Sequence, residues 1–417
     1  MKRVYLDHAA TTPVDPHVEE AMRPFWGEHF GNAGGLYEEG RRAKEALGQA
    51  RIKIAKLIGA RPDEIIFTSG GTESDNLAVF GVAGAALPGK KSDFFGVLKS
   101  DFEDSKASKP HIITAKFEHH AVLHPCQELE KLGFSARGGP AFGWDVTYLE
   151  VGEDGIVSPE NVKRFLRPET VLVSIMYANI EIGTIQPVAE IGKIIHNHKL
   201  ETKNDKLVFH TDACQAAGYL DLNVNNLGVD LMTVNGSKIY GPKGVGFLYV
   251  RRGVKISPQI LGGVQEMGLR AGTEPVALNV GLASAFEIAQ GEKEKESARL
   301  TVLRDYFIGG LEKKIPKAVL NGHPIKRLPN NINISIPGAN GEEMVVRLDA
   351  NGIACSTGSA CTSESSESSH VILALGRSKK LADSSLRLTM GRSTTKGDLD
   401  YVLKVFSGII NSYGARN

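Results

Sequence analysis

An α/β protein, with a mainly parallel central sheet in a large domain and a smaller α+β domain at the C-terminal end, is what this chain of 417 residues predicts. Three observations carry that reading. From about residue 64 to 212, short β-like runs alternate with helix-period segments, the pattern of parallel strands joined by right-handed crossovers. The polar residues Thr72, His119, Asn179, Asp212 and Lys238 each fall at or just after the end of such a run, where an open sheet gathers its ligands. After Val250 the texture changes to a Gly-rich loop, one long helix and scattered short elements. The length suits two domains, placed at 15–258 and at 1–14 together with 259–417.

A short strand is expected over 4–6, a polar loop of small residues over 7–13, and a helix over 16–26. Ala43, Leu47, Ala50, Ile54, Leu57 and Ile58 recur at helical spacing, so a long helix spans Glu38–Ile58 and Gly59 ends it. A strand over 64–68 leads through Ser69, Gly70 and Gly71 into a helix beginning near Thr72. That turn presents free backbone N–H groups suited to a phosphate, although most such units bind nothing. Residues 90–109 and 135–144 read as surface insertions. Strands over 111–114, 146–151, 171–177 and 207–212 alternate with helices over 118–132, Pro159–Phe165 and 188–198. Two runs, 229–234 and 245–250, then flank a tight segment dense in Gly, Pro, Ser and Asn with Lys238 in its middle. Beyond the 262–273 loop come a helix over 275–311, a strand over 331–336, a helix over 342–348, a small polar stretch over 352–369, a helix over 371–375, the strand Ser385–Thr389 and a final helix over 396–410.

A formal net charge of +1 gives no reason to expect nucleic acid or an acidic membrane surface as a partner. No apolar run is long enough to span a bilayer, and no secretory signal is evident. The four cysteines, Cys126, Cys214, Cys355 and Cys361, form no Cys-x-x-Cys pair, so a zinc ribbon is not expected and a reducing cytoplasm is.

Most lysines are solvated surface charges. Lys238 is anchored between apolar strands, where a desolvated amine can form a Schiff base; Lys243 looks like a turn residue. If Lys238 holds a cofactor aldehyde, Asp212 at a strand end suits the ring nitrogen. His119 and His120 point apart on a helix, so one facing the pocket fits better than a metal pair. Thr72, Asn235, Ser237 and Thr273 are candidates for a phosphate cup, though each alone is commonly a loop group. Cys361 sits among small polar residues, where a reachable thiol suits nucleophilic work, whereas Cys355 looks buried. Arg387, an inward charge in an apolar strand, suits a substrate carboxylate.

With those residues in view, the chain resembles the cysteine desulfurases, within the fold type I pyridoxal-phosphate enzymes and the class V aminotransferases. The segments that carry the resemblance are 5–13, 67–76, Glu118 and His119, 210–215, 238–244, 270–274 and 358–363. It covers nearly the whole chain apart from three insertions. The resemblance implies pyridoxal 5'-phosphate joined to Lys238, Asp212 at the pyridine nitrogen, His119 on the ring and Gln215 near the phenolic oxygen. Gly71, Thr72, Asn235 and Ser237 would hold the phosphate, with Thr273 reaching in from the partner of a homodimer. Arg387, Asn32 and Asn179 would position L-cysteine, and Cys361 would take its sulfur as a persulfide, releasing alanine, for transfer to an acceptor protein in iron–sulfur cluster assembly or thiolation.

The chain departs from the family pattern at several places. Ser237 stands where His is usual, Asn235 where Ser is frequent, and Ile180 where a second Asn commonly follows Asn179. Ser237 can donate to phosphate but adds no positive charge, and Ile180 removes a polar contact of about 1 kcal/mol. Differently tuned cofactor binding is therefore expected. The C-terminal tail by which many members dock a scaffold protein looks short here. Two rivals stand beside this reading: another enzyme of the same fold, such as a selenocysteine lyase or an aminotransferase, and a weakened sulfur-relay subunit. A loop thiol at Cys361 argues against an aminotransferase, which needs none.

Overall fold

The computed structural model describes residues 2–86, 109–131, 143–358 and 368–414, with side chains to residue 411. The expected insertions and the Cys361 loop fall largely outside them. The chain opens on β1 (Val4–Tyr5) and passes through a polar segment to α1 (Pro16–Met22), whose first turn is capped by Asp15 accepting from the His17 amide. The helix expected to continue to residue 26 tightens into a 3-10 turn over Arg23–Trp26, where Pro24 has no N–H to extend an α-helical ladder. Next, α2 (Glu38–Ile58) buries Ala43, Leu47, Ala50, Ile54 and Ile58 on one face. Each large member contributes about 2 kcal/mol. Gly59 ends it in the left-handed conformation at φ 69°, returning its N–H to the Ala55 carbonyl.

The alternating region follows: β2 (Ile65–Thr68), α3 (Gly71–Ala86), β3 (His111–Ala115), α4 (His120–Lys131), β4 (Asp145–Leu149), α5 (Pro159–Phe165), β5 (Thr170–Ser174), α6 (Val188–Thr202), β6 (Val208–Asp212), α7 (Val224–Leu227), β7 (Leu231–Asn235) and β8 (Gly246–Val250). Its strands form one seven-stranded sheet in the order β2-β8-β7-β6-β5-β3-β4. All neighbours are parallel except β8, which runs antiparallel to both β2 and β7. Thr68 and Asn235 both pair with Gly246, and Asp212 pairs with Thr233. The carboxyl ends of β2, β7 and β6 therefore meet along one edge of the sheet. Apolar cores cover both faces.

From here α8 (Val276–Lys314) leads to β9 (Val319–Leu320), β10 (Asn331–Ser335), α9 (Gly341–Asp349), β11 (Ile353–Ala354), α10 (His370–Ala374), α11 (Lys379–Ala382), β12 (Ser385–Thr389) and α12 (Lys396–Gly414). The strands β12-β10-β9 make a small antiparallel sheet, and β1 joins β11 in a parallel pair, so the first residues of the chain pack with the last part of it. Helix α8 serves two cores: Leu282, Ala285, Phe286 and Ala289 pack with the large sheet, while Leu300, Phe307 and Leu311 pack with β10, β12 and α12.

Candidate active site

The segment 236–245 joins two antiparallel neighbours, so Lys238 is held from both sides by a paired backbone. The Asn235 side chain accepts from the Ser237 amide and hydroxyl, both at 3.2 Å, which fixes the turn before the lysine. Lys238 Nζ donates to the Ala10 carbonyl at 2.5 Å. Gln215 Nε2 reaches the neighbouring Ala9 carbonyl at 3.0 Å. Thr12 secures the same segment, its amide and hydroxyl donating to the Ser237 carbonyl at 2.9 and 3.0 Å. Residues 7–12 thus lie directly over the lysine, a neighbour that sequence reasoning did not supply.

Beside the lysine, Gly71 opens α3 against Cys214 and Asn235. A Cβ added at Gly71 would lie 2.8 Å from Cys214 Sγ, so the helix N-terminus sits this close only because the side chain is absent. Thr72 is exposed on that first turn. Glu73 turns back to accept from the Ser69 amide at 2.8 Å and pairs with Arg270 at 2.9 Å. Burial pushes the Glu73 carboxyl up, but these hydrogen bonds outweigh it and hold it below its usual range. The Gly-rich loop around Arg270 is thereby tied to the helix N-terminus.

Asp212 closes β6, buried, with Oδ1 accepting from the Cys214 amide at 2.8 Å. His210 lies two residues earlier on the same strand face, wholly buried between Ser174 Oγ at 2.8 Å and Thr233 Oγ1 at 3.1 Å. Burial lowers His210 to about 4, so it is neutral at physiological pH. Asp75 Oδ1 stands 3.6 Å from His210 Nε2, and burial, with Asp212 nearby, raises the Asp75 carboxyl well above its ordinary value. Glu118 is raised likewise, with Oε1 on the Met176 amide at 2.9 Å. Of the three carboxyls, Asp75 and Glu118 are thus held toward their neutral forms. Neither was assigned a role from sequence, although Asp75 stands in the motif that opens α3.

His119 precedes α4. Its Nδ1 accepts from the Ala121 amide at 3.1 Å, so in the neutral ring the proton resides on Nε2. Burial lowers its pKa, opposed by Asp212 and reinforced by Lys238, which places the ring in the electrostatic reach of both. His120 stacks on His124 and touches His370, with its ring centroid 6.4 Å from that of His119.

Arg387 in β12 is 1 % exposed and pairs with Asp7 at 2.8 Å, at the end of residues 7–12 opposite the contact with Lys238. Its Nε has no hydrogen-bond partner among the described residues. Asn179 is fully buried: Oδ1 accepts from the Glu181 and Ile182 amides, and Nδ2 donates to the Phe117 carbonyl, so its side chain shapes the loop after β5. Asn32 is exposed, its Oδ1 accepting from the Gly34 amide, and Thr273 is exposed in its loop; among the described residues neither makes a hydrogen bond to another candidate residue. Cys361 lies outside the described residues. Cys126, Cys214 and Cys355 are free and buried, and burial pushes Cys355 up to about 12.

This donor set fits pyridoxal phosphate. An amine lies at a strand end with a buried carboxylate and an imidazole nearby. The cradle at Gly71 offers hydroxyls from Thr72 and Ser237 and a helix N-terminus, the chemistry of a phosphate site. Comparison with known proteins agrees. The aminotransferase class-V family model matches residues 4–402. A cysteine desulfurase IscS of Dictyoglomus turgidum is 50% identical over 411 residues, covering 98% of this chain and 95% of its own length. One from Methanosarcina thermophila is 46% identical, covering 98% and 92%. A solved structure described as a NifS-like protein superimposes with a TM-score of 0.84 at 34% identity, covering 98% of this chain and all of that one.

Proposed function

The chain belongs to the class-V aminotransferase family, as a pyridoxal-phosphate-dependent cysteine desulfurase, and from that premise we propose how its residues divide the work. Lys238 is the attachment point of the cofactor and carries protons to and from the substrate carbon. Asp212 faces the ring nitrogen, while Asp75 and Glu118, which burial pushes toward their neutral forms, avoid competing with it. His119 lies against the ring with its proton on Nε2, poised to donate. Thr72, Ser237, Asn235 and the Gly71 amide take the phosphate, and Gln215 the phenolic oxygen. Bound there, the cofactor supplies an electron sink that makes the carbon–sulfur bond of cysteine breakable.

Arg387 receives the substrate carboxylate, using Nε and exchanging part of its pairing with Asp7. The Cys361 thiolate attacks the substrate sulfur. A sulfur–sulfur bond forms, the carbon–sulfur bond breaks, and protons end on the carbon, giving alanine and a persulfide on Cys361 that passes to an acceptor protein. Thr273, exposed here, completes the site from a second copy in a homodimer, Asn32 helps position the substrate, and Asn179 shapes the substrate side. A division near 15–258 draws support from the core that Val4 and Leu6 share with residues 300–410, although Leu282, Phe286, Val371 and Ile372, beyond 258, pack with the large sheet. Cytoplasmic location is supported by free cysteines, and among the described residues no helix is long and apolar enough to cross a membrane.

The observation that carries this reading is the convergence of Lys238, Asp212, Ser237 and the α3 N-terminus on one sheet edge, with Arg387 held close by through residues 7–12. The test is alanine formed from L-cysteine together with the sulfide released when a thiol reductant is present to reduce the persulfide. Equal amounts of both, abolished in Cys361→Ser, are expected. Full activity in Cys361→Ser would remove the persulfide step.

A further inference from the structure

The loop after β5 contains a carboxyl that none of the roles above uses. Glu181 is 4% exposed, yet no cation lies within ion-pair distance of it among the described residues. A buried carboxyl without a cation is costly and is retained where its hydrogen bonds fix something. Its backbone is fixed from both sides: the amide donates to Asn179 Oδ1 at 2.8 Å, and the carbonyl accepts from Asn333 Nδ2, on β10, at 3.2 Å.

The carboxyl points to the two ends of the segment that bears Cys361. On one end, Ser369 Oγ donates to Glu181 Oε2 at 2.5 Å while accepting from the Ile372 amide, so the same hydroxyl caps α10. On the other end, Gly358, at φ 95°, passes so close that an added Cβ would lie 2.9 Å from the same Oε2. Gly358 is itself set by Ser356, which bridges to Arg387 across β12 through two backbone hydrogen bonds. One carboxyl oxygen therefore meets both ends of residues 359–367, and the loop it comes from also carries Asn179.

We propose that Glu181 is a positioning residue for sulfur transfer, tying both ends of the Cys361-bearing segment, at Gly358 and Ser369, to the loop of Asn179. It touches neither substrate nor cofactor. Its effect falls on where the thiol is delivered. Burial raises the Glu181 pKa, against hydrogen bonding from Ser369 and the charges of His370 and Arg387, so a neutral amide of the same shape is a fair replacement.

The inference rests on the desulfurase reading. Its test is a single turnover of the cofactor-loaded protein with radiolabelled L-cysteine, following both the change in cofactor absorbance and the sulfur bound to protein. Glu181→Ala is expected to leave the absorbance change at the wild-type rate while slowing sulfur loading about 100-fold. Glu181→Gln, which keeps an acceptor for Ser369, is expected to load sulfur within about 3-fold of wild type. Should Glu181→Ala fail to fold, Ser369→Ala carries the same expectation from the other side of the contact. Equal slowing of both signals, or of neither, would assign Glu181 a merely structural role, as would a Gln variant as slow as Ala. A wild type that loads no sulfur overturns the desulfurase reading and this inference with it; a loading wild type beside an unaffected Glu181→Ala overturns the inference alone.

Discussion

The two sides of the site are built on different principles. On the cofactor side, Gly71, Asp212, Asn235 and Lys238 are placed by backbone: Asp212 and Asn235 end strands, Gly71 and Lys238 follow within three residues of one, and the ladder that pairs Thr68 and Asn235 with Gly246 sets their spacing. On the substrate side, placement is by side chain. Arg387 is oriented by Asp7, the ends of the 359–367 segment by Glu181, and the Asn179 loop by its own amide. A ladder spreads the positional constraint over many weak bonds, whereas a single buried carboxyl concentrates it in one. The cofactor side should therefore tolerate the loss of a peripheral contact, and the substrate side should not.

The largest test removes the anchor itself. Lys238→Ala is expected to lower alanine formation on the order of 10⁴-fold. Borohydride reduction followed by mass mapping should then find no cofactor attached at that position, and retained activity would break the cofactor assignment. Next comes the buried layer behind Asp212. His210 is neutral in the fold at about 4 but has an ordinary value near 6.5, so the unfolded chain takes up its proton first as pH falls. Stability is therefore full above 6.5 and is lost by about 3 kcal/mol as pH drops to 4, with no further loss from this group below that. Urea midpoints across that range should show the slope, and His210→Asn should flatten it.

On the substrate side, Arg387→Ala is expected to raise the KM for cysteine about 100-fold with the cofactor still bound, since a buried carboxylate partner is lost. A fall in kcat at unchanged KM would contradict the carboxylate role. The smallest effect is expected at Ser237. Ser237→Ala should weaken cofactor binding by about 1 kcal/mol, near 5-fold in Kd by absorbance titration. An effect as large as that at Arg387 would erase the contrast between the two sides.

The same contrast explains what could be read from the sequence. Helix α2 was legible to its last residue, because its apolar period is regular and Gly59 marks the stop. The strand β10 was legible for its alternating apolar residues, and the site residues at strand ends for their place after β-like runs. The antiparallel course of β8 was not, since a fully buried strand carries no mark of its neighbours' direction. Two-residue strands such as β11 have no period to detect, and α7 is a single turn. The pairing of Asp7 with Arg387 spans almost the whole chain and has no local signature. Nor did sequence mark Asp75, Glu118 or Glu181 as buried; acidic residues in polar motifs ordinarily read as solvated.

The course of residues 4–12 bears on how the protein is made. Val4 pairs with Ile353 and Asp7 meets Thr389, so these residues find their partners only after the long stretch between them has been made. Contacts of such long range are slow to form. The roof over the lysine is therefore fixed by long-range pairing rather than by the local turn that carries the lysine.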